Sequence, residues 1–293
     1  MKKKIRTGTF RRVIWFFSVN ITMIFTLVYL TQGSLNDFIP FLLVYACLMP
    51  FISLLFSKSR VKKAYNLAII KDDYRYEETI EWYRNKVYEI CGKAGMKKMP
   101  EIAVYESKDK NAFATGRSKN SSLIAVSSSL LYEMSEDAVE AVIAHEVAHI
   151  MNGDMVTQTL LQSALRMMIG VVILPITIFR WILLFMVDSE NIFIYYLTLI
   201  IEFIVGTILF FISSLLVKKY SRKREFKADY MAAQLTAPRK MIKALKELDG
   251  PAILLPSQRK YSALQFNGLG RVLDVFSTHP SIQRRIKYLE KKF

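Results

Sequence analysis

The sequence predicts a mostly α-helical integral membrane protein with four transmembrane helices, whose polar remainder is split into two parts and includes a small β-sheet. Three observations lead there. Hydrophobic residues make up 52% of the 293 positions, more than water-soluble folds usually carry. Four apolar runs are flanked by clusters of Lys and Arg. Between the second and third runs lies a polar stretch with helical periodicity that ends in two histidines four apart, His145 and His149.

The formal charge of +16 raises nucleic acid as a partner, but the basic residues bunch at the ends of apolar runs instead of covering one polar domain. That placement excludes a nucleic-acid reading and points to the lipid bilayer with its anionic headgroups. The two cysteines, Cys47 in an apolar run and Cys91 at the end of a predicted helix, have no C-x-x-C spacing. They read as packing residues in a reducing compartment.

Residues 1–56 form the first predicted unit, an N-terminal transmembrane hairpin. Met1 to Arg12 is basic, and Val13 to Leu30 is long enough to cross a bilayer core. No small-residue cleavage site follows it, so it reads as an uncleaved signal anchor. Phe38 to Phe56 returns, with Pro40 in its first turn and Pro50 kinking it. The connection Thr31 to Asp37 has no Lys or Arg, whereas Lys58, Arg60, Lys62 and Lys63 follow the second span. The positive-inside rule therefore puts the N-terminus and the segment after Phe56 in the cytoplasm.

Residues 57–155 are expected to hold the sheet and the histidine helix. Tyr76, Ile80, Tyr83, Val87 and Ile90 recur at helical spacing before Gly92. Glu101 to Tyr105 and Ser122 to Val126 read as strands, with Asn111 to Gly116 between them. An exposed strand here would hold an extended peptide by adding it to the sheet edge; a plain hairpin is the other reading. From Ser135 the chain shows an N-cap residue, then Glu136 and Asp137 in a first turn, then an Ala/Val/Ile face leading into Ala144-His145-Glu146-Val147-Ala148-His149.

Residues 156–217 are expected to form a second hairpin. Thr157 to Val187 carries Arg166 and Arg180, which blurs its span, and Ile192 to Val217 carries Glu202 near its middle. Asp188 to Asn191 has no basic residue, while Lys218, Lys219, Arg222, Lys223 and Arg224 follow, so the C-terminus also belongs inside. Arg180 and Glu202 fall close enough across the turn to pair within the membrane, unless Arg180 snorkels to the interface.

On a helix, His145 and His149 project from one face on successive turns, where both imidazoles can hold one Zn2+ with Glu146 beside them. An ordinary buried helix with surface histidines is the plain alternative. A catalytic zinc takes three protein ligands and keeps a fourth position open. The extended H-E-x-x-H-x-x-G-x-x-H pattern is excluded, because Asn152 and Met155 stand where its glycine and histidine would be. In the last predicted part, residues 218–293, Glu225 and Asp229 lie four apart. Glu225 can ligate zinc while Asp229 accepts the spare N–H of a ligand histidine; otherwise both carboxylates pair with nearby Lys and Arg. His279, before Pro280 and a basic helix with Arg284 and Arg285, is open to three readings: a third ligand, a donor to a developing oxyanion, or a loop residue.

These pieces resemble the HtpX-like membrane metalloproteases, relatives of the CAAX prenyl proteases. The match runs through Asn111 to Gly116, His145 to His149, Asn152-Gly153-Asp154, Glu225 to Asp229 and Thr278-His279-Pro280, in the family's order and over nearly the whole chain. The resemblance implies a multi-pass cell-membrane protein with a split gluzincin-type domain and a cytoplasmic active site. It implies one Zn2+ per chain on His145, His149 and Glu225, with Glu146 as general base, Asp229 behind a ligand histidine and His279 near the reacting carbonyl. Asn111, Ala112, Phe113 and Ala114 would line the substrate cleft. The implied role is cleavage of damaged or misassembled membrane proteins. Site-specific processing and a non-catalytic adaptor with structural zinc are the rival functions, and the sequence leaves natural substrate and oligomeric state open.

Overall fold

The computed structural model describes residues 54–186, 192–248 and 280–293, with scattered helical positions between 14 and 52. The chain divides into two compact units, Met1–Ser53 with Thr157–Val217, and Leu54–Val156 with Lys218–Phe293. Most of the first two expected spans, the connections 31–37 and 188–191, and His279 lie outside the described residues.

In the first unit, Phe16 and Phe17 meet Phe51, with ring centroids 6.4 and 5.7 Å apart. Helix α5 (Asp154–Met186) and helix α6 (Ile192–Leu235) supply the long apolar segments. Among the described residues one helix, Phe193–Leu235, is long and apolar enough to cross a membrane; the expectation of four spans goes further than this. Arg180 Nε lies 3.3 Å from Glu202 Oε2, and Thr177 donates to Glu202 Oε1 at 2.8 Å. The two charges therefore meet, and a hydroxyl one turn from Arg180 occupies the other carboxylate oxygen.

The second unit is built on a four-stranded sheet. Helix α1 (Ser57–Ala64) leads into β1 (Ala68–Ile70), then α2 (Glu78–Lys93), β2 (Glu101–Tyr105), β3 (Ala112–Ser118), β4 (Ser121–Ser127), the short α3 (Ser128–Glu133) and α4 (Glu136–Asn152). After α6 come α7 (Pro238–Leu248) and α8 (Ile282–Lys292). The strand order is β1-β2-β4-β3, with β2 and β4 parallel and the other pairs antiparallel. The segment from Asn111 to Gly116, which the sequence places between two strands, mostly forms β3, an edge strand. Its Ala-Phe-Ala-Thr-Gly lacks a run of β-branched residues, so propensity alone does not reveal it.

Alternation along the strands separates two faces. Ile102, Val104, Ile124 and Val126 face one cluster with Tyr83, Val87 and Ile90 of α2, the apolar side of α4, and Met241, Ala244 and Leu245 of α7. Ala103, Tyr105, Leu123 and Ala125 face the other side, against Leu67, Ile69 and Phe113. From Ala138 onward helix α4 is thus mostly buried, and it ends where Gly153 takes the left-handed conformation at φ 68° and closes on the carbonyls of His149 and Ile150. Ser135 holds the N-cap position as its composition suggests, but its side chain does not cap the helix. Its hydroxyl donates to Glu247 Oε1 at 2.6 Å and its N–H to Oε2 at 2.9 Å, which ties the start of α4 to α7.

Candidate metal centre

Helix α4 carries His145, Glu146 and His149, all on its final two turns, and α6 carries Glu225 and Asp229. The two helices meet through small side chains. Ala148 of α4 and Ala228 of α6 are both fully buried in one cluster with Met231. Residues 225, 228, 229 and 232 share one helical face, so the face that packs at Ala228 also carries Glu225 to the imidazoles.

The resulting donor cluster is compact. His145 Nε2 lies 3.0 Å from His149 Nε2, and Glu225 places Oε2 3.4 Å from the first and Oε1 3.5 Å from the second. One ligand atom from each of the three residues falls within 4.8 Å of the others. Donors on a tetrahedral zinc at bond lengths of about 2.0–2.1 Å would stand about 3.3 Å apart, so the spacing fits such an ion.

The far sides of the rings explain why the lone pairs point inward. His145 Nδ1 lies 3.0 Å from Asp229 Oδ1, and His149 Nδ1 lies 2.8 Å from Asp154 Oδ2. A neutral imidazole whose Nδ1–H goes to a carboxylate presents the lone pair of Nε2. Two such lone pairs and a carboxylate repel one another unless a proton or a metal ion sits among them. Burial disfavours charge on both rings, yet Asp229 and Glu225 outweigh it and raise His145, while Asp154 and Glu225 push His149 up to about 10. The cluster attracts positive charge.

Two arginines complete the surroundings. Arg285 of α8 donates from Nε and Nη2 to the two oxygens of Asp229 at 2.7 and 2.5 Å, and its Nη2 lies 3.8 Å from Glu225. Arg224 Nε lies 3.4 Å from Asp154 Oδ1. Burial pushes the Asp229 carboxyl up, but Arg285 and His145 outweigh it and hold it low, so it stays ionised. Glu146, Asp154, Glu225 and Asp229 are each at most 9% exposed. Four buried carboxylates and two guanidiniums thus crowd around the two imidazoles, a setting in which an unbalanced charge is costly.

The structure brings His145, Glu146, His149, Glu225 and Asp229 together, with Asp229 against His145. Of the segment named for substrate, Ala112 and Ala114 pack on the side of α4, whereas Phe113 faces the other side with Tyr65 and Tyr105 at centroid distances of 5.0 and 5.6 Å. The Asn111 N–H donates to Ser127 Oγ at 3.0 Å and its carbonyl accepts from the Ser127 N–H at 2.9 Å, fixing the entry to β3. Sequence reasoning did not assign Asp154, Arg224 or Arg285. The Gly153-Asp154 step at the end of the histidine helix was the available signal for the first.

Comparison with known proteins agrees with this geometry. Residues 77–292 match the family model described as Peptidase family M48. The chain is 40% identical over 273 residues to a protein of Bacillus licheniformis named Protease HtpX homolog, covering 90% of this chain and 89% of the relative. It is 36% identical over 282 residues to Protease HtpX of Aeromonas hydrophila, covering 92% and 93%. Among solved structures, that of S. mikatae Ste24p superposes with a TM-score of 0.59 at 17% identity, covering 93% of this chain and 63% of that one. The likeness to the latter is one of fold.

Proposed function

Because the chain belongs to peptidase family M48, we propose that it is a membrane-bound zinc endopeptidase with its active site at the cytoplasmic face, acting on damaged or misfolded membrane proteins. His145, His149 and Glu225 would hold one Zn2+, and the observation that carries this is their convergence: two Nε2 atoms 3.0 Å apart with a carboxylate 3.4 and 3.5 Å from them. Bound there, the ion would supply Lewis acidity, polarising a scissile carbonyl and bringing the pKa of a water near 7. Among the described residues three groups converge, the number that leaves a position open for chemistry.

Glu146 follows His145 on the same turn of α4 and is buried at 9% exposure. In this reading its carboxylate takes the proton of the attacking water and then delivers it to the nitrogen of the departing amine. Asp229 and Asp154 keep the imidazole Nδ1 atoms protonated and the rings fixed in direction. His279, three residues before the start of α8 in the sequence, would donate to the oxygen of the tetrahedral species.

Strand β3 supports the choice of an extended polypeptide as substrate. It is the edge of the sheet, and its Ala112 and Ala114 lie on the face that packs toward α4. A client segment laid along that edge would be held by backbone hydrogen bonds that accept many side chains, which suits unfolded clients better than one fixed sequence. The basic residues around 58–63 and 218–224 support the cytoplasmic orientation.

The test is Glu146→Gln in the full chain. The variant is expected to keep its zinc and lose cleavage of casein; cleavage at the wild-type rate would refute the assignment.

A further inference from the structure

We propose that Asp154, anchored by Arg224, is the positioning residue for His149 and sets the metal affinity of the site. The inference rests on the zinc reading above and adds to it a second Arg–carboxylate–imidazole chain, parallel to the one through Arg285, Asp229 and His145.

Helices α4 and α5 are broken from one another at Gly153. Asp154 comes five positions after His149, more than one turn of continuous helix, so in an unbroken helix the two side chains would point in different directions. Gly153 adopts φ 68° and ψ 32° instead, and Asp154 starts a new helix. This turn sends the Asp154 carboxylate back to the imidazole, where Oδ2 sits 2.8 Å from Nδ1. Asp154 is 3% exposed, so its charge is taken out of water, at a cost that its partners must offset.

Those partners share the work. One carboxylate oxygen faces His149 and the other faces Arg224 Nε at 3.4 Å. Arg224 immediately precedes Glu225 on α6. The same helical turn that brings the third ligand to the site therefore also brings the cation that holds the carboxylate behind the second ligand. Docking of α6 on α4 delivers both at once, which couples the orientation of His149 to the arrival of Glu225.

An acid at a helix start has a simpler role: it favours the first turn through the helix dipole. The two roles separate experimentally. Loss of the dipole contribution acts on helix stability, which circular dichroism reads, whereas Asn and Ser also deprive the imidazole of a full negative charge, which zinc affinity reads. Loss of a partner of this kind typically lowers metal affinity by about 10–100-fold.

The experiment measures the Kd for Zn2+ of the detergent-solubilised full chain by competition with a chromophoric chelator, for wild type, Asp154→Asn, Asp154→Ser, Arg224→Gln and the Asp154→Asn/Arg224→Gln double variant. Helical content by circular dichroism is recorded alongside. Both Asp154 variants are expected to keep wild-type helicity and bind zinc about 10–100-fold more weakly, Arg224→Gln to weaken it by less, and the double variant to fall short of the product of the two single effects. Zinc affinity within twofold of wild type in folded Asp154→Asn would overturn the inference while leaving the zinc reading standing. Should both Asp154 variants fail to fold, unchanged affinity in Arg224→Gln overturns it equally. A wild-type chain that binds no zinc overturns the reading beneath it and this inference together.

Discussion

Arg285 closes on Asp229 with two hydrogen bonds, Nε to Oδ2 at 2.7 Å and Nη2 to Oδ1 at 2.5 Å, at a site where Asp229 has no exposure to solvent. The contact joins α8, at the end of the chain, to the carboxylate that orients His145. Removing one partner of such a buried pair leaves the other charge uncompensated and costs about 3–5 kcal/mol. Arg285→Met is therefore expected to lower the thermal midpoint of the zinc-loaded chain by several degrees. Arg285→Lys should recover only part of the loss, because an ammonium cannot reproduce the two-pronged geometry. Thermal denaturation of the three forms checks this.

Helices α4 and α6 meet at a buried cluster that includes Ala148 and Ala228, both without exposure. Ala228→Leu inserts three carbon atoms into that contact, a strain of about 1–3 kcal/mol, and relieving it by separating the helices draws Glu225 away from the imidazoles. The expected result is weaker zinc binding with the apolar spans unaffected. Zinc titration of this variant beside Ala228→Gly measures it.

Gly116 has a φ of 145°, and a Cβ built there would fall 2.2 Å from the Ser121 carbonyl oxygen and 2.7 Å from Ser122 Cα. These are backbone atoms of the neighbouring strand, so they cannot swing aside. Gly116→Ala is expected to push β3 off β4, loosening the edge on which the proposed substrate rests while the zinc cluster on α4 and α6 keeps its ion. Casein cleavage and zinc content measured together should separate: the first falls, the second holds.

Glu101 at the start of β2 meets Lys58 at 2.5 Å and Lys62 at 2.6 Å, both from α1. Burial pushes its carboxyl up, but the two ammonium groups outweigh this and hold it below the ordinary carboxylate range. A depressed carboxylate contributes stability that is complete above its unfolded pKa of about 4.3 and is lost as the pH falls through the lower folded value. Melting curves of wild type and Glu101→Gln are thus expected to differ above about pH 5 and to converge in stronger acid. Salt should narrow the difference, since the carboxylate is partly exposed.

Arg180 and Glu202 meet at 3.3 Å within the apolar helices. Replacing either with Met leaves one charge among apolar side chains, whereas replacing both removes the problem. The double variant is expected to be more stable than the sum of the single losses implies, by about 0.5–3 kcal/mol. Additive losses in thermal stability would show that the pair does not couple.

How legible the site was follows from the range of the signals involved. The H-E-x-x-H string and the Glu225–Asp229 spacing are local, each set by one helical turn, and sequence periodicity finds them. The sheet was half visible: β2 and β4 are apolar and β-branched, while β3 is held by pairing with β4 and by the turn at Lys119-Asn120, information that no short window contains. Ser135 reads as a helix cap and occupies that position, but its hydroxyl is taken by Glu247, a residue 112 positions later. Arg285 lies among five basic residues of α8, and only the fold singles out the one that is buried. Asp154 was in view within Asn152-Gly153-Asp154, yet its role depends on the left-handed turn at Gly153, which changes its direction by an amount that spacing does not reveal.

The central claim is that a carboxylate from α6 shares one ion with two imidazoles of α4. The most direct test is the zinc content and affinity of the purified full chain against Glu225→Ala, with helicity recorded for both. One zinc per wild-type chain, bound far more tightly than in a folded Glu225→Ala variant, is the expected result. Equal zinc content and affinity in the two forms would contradict it.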